Sequence, residues 1–371
     1  LGQHIKLTHP VGIVIGYGPK KETGMKIKKI LLIFLIMLGI VISVYPENRG
    51  VLSEVMKPSM IDVSEDRLYV MDAEQIHVYS LKELKHINSF GRKGEGPGEY
   101  QIIPQMPLRL YADKQIVMIE SINKVLMFDH DGNYKKEIRK RPFINIIQPA
   151  GQNFIGRRII QPRDGSESSS SVWIYDREMK DVKKLYQQKF IQQGNFPKLR
   201  LNMGKDFLLF SVYRDMVFIE RSMDGPFIDV YDANGKKLYE VKIPYDKRRI
   251  TRAYKDFVEK ELGQDPHIVG QLRANQMSWK EFSKNFIYEY PEFYPSVQTL
   301  EVTNGKIYVK TFDIKEGKEK YLIMDLKGKL LKTLYLKPTV KKWIMSTMMG
   351  INLEIIRNDK VYYLAVNEDE E

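Results

Sequence analysis

The chain has no cysteine among its 371 residues, which excludes disulfide staples, thiolate metal sites, a cysteine nucleophile and a lipoprotein anchor. Stability must therefore come from packing. Histidine is scarce too: beyond the N-terminal leader only His77, His86, His130 and His267 occur. Long apolar runs are missing with one exception, the fifteen uncharged and mostly apolar residues from Ile30 to Val44. The chain is not short of core material, because 43% of its residues are hydrophobic and 11% aromatic, and it lacks the charge-rich balance of a disordered protein.

Lys26, Lys28 and Lys29 precede the apolar run, and Pro46, Glu47, Asn48, Arg49 and Gly50 stop it before the roughly 20 residues that a spanning helix needs. Residues 25–44 read as a signal peptide, with Val41 and Ser43 as the small positions ahead of the cut. The alternative is an uncleaved segment that tethers the protein to the inner membrane through residues 30–44. Either way the protein is expected to be exported, to the periplasm or out of the cell. Residues 1–24 read as a non-native upstream extension, since Lys20, Lys21 and Glu22 have purine-rich codons, as ribosome-binding DNA ahead of Met25 would. Of the formal net charge of +12, residues 1–44 carry +5 and the exported part +7. That excess is spread over turns and solvent-facing strand positions, with no basic stripe, so nucleic acid is not an expected partner.

A phrase repeats along the exported part: MFDHDGNYKKEI from Met127, VYDANGKKLYEV from Val230 and IMDLKGKLLKTL from Ile323. Each is a β-rich run, an Asp, two residues, a Gly and a second run, which is the pattern of a hairpin whose turn needs positive φ. A weaker copy at Ile174 keeps the Asp but lacks the Gly. The markers Ser80, Asp129, Asp176, Asp232 and Asp325 lie 49, 47, 56 and 93 residues apart. A period of roughly 40 to 50 residues with four short strands is that of a propeller blade. Residues 50–371 are therefore expected to form an all-β, six-bladed β-propeller. Its last blade starts with Ile351 and Lys360 runs and lacks two outer strands, one of which Val51–Met56 could supply.

The 93-residue interval contains a helical insertion, residues 245–295, placed between blades four and five. Ile250, Tyr254, Phe257, Val258 and Leu262 share a helical face that Gly263 ends, and Ser278 with Glu281 forms a capping box ahead of Phe282 and Phe286. In a propeller, the links between blades and those between second and third strands share one face. The insertion, Phe90–Tyr100, Gln161–Ser171, Arg221–Pro226 and Asp313–Lys320 all fall there, so a binding site is expected on that long-loop face or in the channel mouth beneath it.

GRKGEGPGEY from Gly91, followed by a blade ending in MFDHDGNY, resembles bacterial exported six-bladed propeller proteins related to NHL-repeat and TolB-like propellers. The resemblance spans residues 50–371. It implies the fold and export, and little chemistry, because that group shares no common activity. NHL-like lyases hold a metal with inner-strand histidines. Here His77, His86 and His130 fall on outer strands or a turn and His267 in the insertion, which argues against that mechanism, and neither a metal nor a cofactor is expected.

Other motifs have plain structural readings. The glycines of residues 91–98 lack the Lys-Ser/Thr of a phosphate cradle, and Asp129, Asp131 and Asn133 lack the Gly and Glu spacing of a calcium loop. The first functional reading is a binding or scaffold module for a peptide, glycan or protein. A lyase or hydrolase at the channel mouth is the alternative. Candidate ligand-binding residues are Arg92, Lys93, Glu95 and Glu99 in the Gly-rich loop, Arg163 in the Ser-rich loop, Trp279 in the aromatic insertion, and Glu120, Arg157 and Lys310 on inner-strand segments. Arg158 belongs with the last group as channel lining.

Overall fold

The computed structural model describes residues 5–7, 52, 54–72, 75–102, 108–160, 168–190, 199–203, 208–221, 224–338 and 353–366. The leader at 25–44 and Arg163 lie outside these residues. Among them, no helix is long and apolar enough to cross a membrane.

Five four-stranded antiparallel sheets follow one another, each running in sequence order from inner to outer strand. Blade 1 comprises Pro58–Ser64, Arg67–Asp72, Gln75–Ser80 and His86–Phe90. Blade 2 comprises Arg109–Ala112, Val117–Glu120, Lys124–Phe128 and Tyr134–Arg139. Blade 3 comprises Ile144–Ala150, Asn153–Ile160, Ser168–Tyr175 and Asp181–Phe190. Blade 4 comprises Phe210–Tyr213, Met216–Glu220, Phe227–Asp232 and Lys237–Lys242. Blade 5 comprises Thr299–Thr303, Lys306–Lys315, Lys318–Asp325 and Leu330–Leu336. Blade 6 is Glu354–Arg357 and Lys360–Val366, with Ile5–Leu7 paired outside them.

Side-chain packing joins the last blade to both of its neighbours. Six apolar clusters fill the clefts between consecutive blades, including those from blade 5 to 6 and from 6 back to 1. Of the expected outer strand at Val51–Met56, the described residues Leu52 and Glu54 to Met56 form no strand. The N–H of Val55 donates to the carbonyl of Leu52 at 3.1 Å, and this turn buries both side chains in the cleft between blades 6 and 1.

The repeated Asp builds the hairpin turns. One oxygen of Asp129 accepts the N–H groups of Asp131 and Asn133, and Asp176, Asp232 and Asp325 do the same two and four residues ahead. The residue three after the Asp takes positive φ, +82° at Gly132, +80° at Gly235 and +88° at Gly328. Blade 3 puts Met179 there at +61°, and the turn of blade 1, which starts from Ser80, has its positive φ one residue later, at Leu84, +54°.

The insertion forms its own small core. Helices α1 (Arg252–Gln264), α2 (Pro266–Ala274) and α3 (Trp279–Ser283) are followed by a strand, Phe286–Glu289, that pairs in parallel with Leu199–Asn202. The Thr251 hydroxyl caps α1 and the expected Ser278–Glu281 capping box is formed. Helix therefore covers less than residues 245–295. Phe286 sits on the strand, and Phe257 is exposed because Val258 and Leu262, four apart, take the buried stripe. Gly263 does not end α1, which runs on to Gln264. A Cβ at Gly263 would lie 3.2 Å from the Trp279 ring, so the glycine provides room for α3 to dock.

Candidate functional site

The inner strands surround an axial cavity of about 240 Å3 lined by residues of all six blades. Each blade gives it an apolar wall residue: Met60, Leu110, Ile147, Phe210, Leu300 and Ile355. Polar groups punctuate that wall at Asp62, Arg109, Glu120, Gln148, Thr299, Glu301 and Arg357. A mostly apolar concavity with a few placed polar groups is the usual build of a small-molecule or side-chain site.

Most of the charges are already matched. Arg357 contacts Glu301 at 2.8 Å and Asp62 at 3.1 Å, while Asp62 also accepts the N–H of Ala112 at 2.9 Å and of Val63 at 2.8 Å. This set joins blades 6, 5, 1 and 2. Burial pushes the Asp62 carboxyl up to about 6 despite the attraction of Arg357. Burial also works against the charge of Arg357, but Asp62 and Glu301 outweigh it and hold the guanidinium protonated. Glu120 is likewise engaged. Its two oxygens meet the Lys140 ammonium at 3.5 Å and the Ile147 N–H at 3.1 Å, tying blade 2 to blade 3. Lys140 donates also to the Ile144 carbonyl at 2.6 Å, and burial lowers its pKa against the pull of Glu120.

Arg109 differs from these groups. It is the first residue of blade 2's inner strand, directly after the link from blade 1, so it stands at the long-loop end of the channel. Its cross-strand neighbour is Glu120, whose oxygens are turned to Lys140 and Ile147. Among the described residues Arg109 makes no hydrogen bond or ion pair, and burial lowers its pKa with Glu120 opposing. Arg157 sits beside it on blade 3's second strand and donates to the Asn145 side chain at 3.0 Å. Burial, and after it the repulsion of Arg109, pushes Arg157 down to about 9.

The structure separates the residues nominated from sequence into four places. Glu120 and Arg157 come together at the channel. Lys310 is buried on blade 5's second strand, ion-paired with Glu319. The Gly-rich loop group lies apart and is turned on itself: Glu99 accepts the Gly96 N–H at 2.9 Å and meets Arg92 at 2.5 Å, and Glu95 accepts from the Gln101 side chain at 2.8 Å. Lys93 is exposed in a two-residue parallel strand with Tyr100. Trp279 faces into the insertion's core with Val258, Leu262 and Ile268, so it does not rim the channel. Arg158 is not channel lining either. It alternates with Arg157, stacks on the Trp173 ring at 4.4 Å and pairs with Asp181.

Sequence reasoning missed Arg109, Asp62, Glu301 and Arg357. The signal was present: SMIDV, RLYA and TLEV each place one charge, and EIIR two, within an otherwise mostly apolar innermost strand.

A sequence family described as a 6-bladed beta-propeller matches residues 53–219, which hold the first three blades and half of the fourth. The fold is a six-bladed β-propeller. No protein of curated function matches the chain. Among solved structures, the propeller is similar to Kluyveromyces lactis Hsv2, at TM-score 0.34 and 10% identity over 76% of this chain and 66% of that one. BamB from Moraxella catarrhalis gives TM-score 0.30 and 11% identity over 84% and 70%. The Neurospora crassa Pan2 WD40 domain gives 0.36 and 9% over 85% and 90%.

Proposed function

We propose that the protein is an exported binding module whose ligand enters the axial channel from the long-loop face. The observation that carries this reading is the cavity itself, apolar on every blade and punctuated by a few polar groups, with Arg109 at the end where the long connections emerge. The aromatic insertion uses Tyr254, Trp279, Phe282 and Tyr288 to pack its own core, so recognition is assigned to the channel. Loops of the decorated face, including the Gly-rich loop with Arg92 and Lys93, frame the approach.

The second reading, a lyase or hydrolase at the channel mouth, rests on Asp62, whose carboxyl titrates near neutrality as an acid–base group should. Both its oxygens are engaged by Arg357, Val63 and Ala112, which supports a role in closing the ring.

The test is to probe arrays of peptides and oligosaccharides with the folded chain, then to re-measure every retained ligand on Thr299→Trp, which fills the channel, and on Trp279→Ala in the insertion. Loss of binding in the first variant alone is expected. Loss only in the second would return the site to the insertion, and turnover of a retained ligand would favour the enzyme.

A further inference from the structure

Resting on the channel reading above, we infer that the group the channel recognises is a carboxylate, anchored by Arg109. Three features point to it.

A guanidinium inside a protein is nearly always paired, because desolvating it without a partner is costly. Arg109 lines the cavity with no hydrogen bond or ion pair among the described residues, although it opposes Glu120 across the strand pair. The carboxylate that could have neutralised it is committed to Lys140 and the Ile147 N–H. The fold thus uses its one adjacent anion elsewhere and leaves the cation facing the cavity.

The second feature is the company Arg109 keeps. Arg157 stands next to it, held by the Asn145 side chain, and the charge of Arg109 opposes that of Arg157. An anion placed against Arg109 relieves that repulsion, and a further cation would add to it. The third feature is the wall. Leu110, Ile147, Phe210 and Leu300 offer an apolar lining beside this unmatched charge, which suits an organic acid with a carbon skeleton. A planar guanidinium matches a carboxylate with two parallel N–H···O bonds.

The carboxylate has two available sources, an acidic side chain of a peptide and a uronic acid of a glycan. The probes are therefore N-acetyl-aspartate with its amide N-acetyl-asparagine, and D-galacturonate with D-galactose, titrated calorimetrically against the full chain. We expect one acid to bind and its neutral counterpart to bind roughly tenfold to a hundredfold more weakly, in line with the loss of a charge-assisted pair. The acid that binds identifies the source. Arg109→Gln should remove that preference, Arg109→Lys should retain part of it, and both should melt as the parent does. If each acid and its neutral partner bind alike, or if Arg109→Gln keeps the preference, the inference is overturned. Binding of neutral probes that Thr299→Trp abolishes would overturn the carboxylate alone and leave the channel as the site. Absence of binding by all four probes would also overturn it.

Discussion

Arg357 of the last blade and Asp62 of the first meet at 3.1 Å inside the channel, so the two ends of the propeller are joined by a buried ion pair. Among the described residues blade 6 takes two consecutive strands from this end of the chain, and this pair supplements its apolar clefts. Removing one partner leaves the other charge buried. Arg357→Met should lower stability by about 3–5 kcal/mol in urea unfolding, whereas Arg357→Met with Asp62→Asn should cost less than the single change. Equal losses would show that the pair does not close the ring.

The same carboxyl gives a pH signature. The folded Asp62 holds its proton up to about 6, above the 3.8 of an ordinary aspartate, so between these values the folded state binds more protons than the unfolded state. Its contribution is therefore favourable at low pH and falls as pH rises through this window, by on the order of 3 kcal/mol. Arg357, Glu301 and Tyr111 are the charged or titratable groups that act on it. Asp72, Asp181, Asp313 and Asp359, all held below their usual range, act in the opposite sense. The comparison that isolates Asp62 is the stability difference between parent and Asp62→Asn at pH 4 and pH 7. The parent should lose ground to the variant as pH rises, and a difference independent of pH would refute the assignment.

The turn glycines are explained by packing as well as by φ. A Cβ on Gly328 would lie 2.7 Å from Val241 of the preceding blade, and one on Gly132 would lie 2.6 Å from Phe90. Where blade 3 has Met179, the side chain fills this cleft, buried among Met118, Met127 and Ile144. Gly328→Ala should therefore cost about 2–4 kcal/mol from the left-handed backbone and the clash together. Met179→Gly should also destabilise, by about 2–5 kcal/mol, through the cavity it opens. A neutral Met179→Gly would mean that the position is read by backbone conformation alone.

The insertion should loosen independently of the ring. Trp279 packs on Gly263, Val258 and Leu262, none of which belongs to an inter-blade cluster. Trp279→Ala should speed proteolysis within residues 252–283 and leave the main unfolding transition within about 1 kcal/mol of the parent. A comparable fall in both would show that the insertion supports the ring.

The ring was legible in the sequence because blades 2 to 5 repeat a local rule, an Asp that caps its own turn with a positive-φ residue three positions on. That rule needs no knowledge of distant contacts. The leading site residues were harder because a channel is made by strands far apart in the chain. Glu120 and Arg157 could be nominated as charges on inner-strand segments, but which charges cancel depends on neighbours such as Lys140 and Asn145 that only the folded blades bring alongside. Arg109 was overlooked for the same reason, since its lack of a partner is a property of the assembled cavity. Trp279 misled in the other direction: an aromatic cluster reads alike from sequence whether it faces a ligand or its own core.

The most direct test of the channel as the binding site is hydrogen–deuterium exchange of the full chain with and without a ligand retained from the arrays. We predict slowed exchange in peptides carrying Arg109–Ala112 and Thr299–Thr303, with residues 252–283 unchanged. Protection confined to residues 252–283, with the inner-strand peptides exchanging as before, would contradict it.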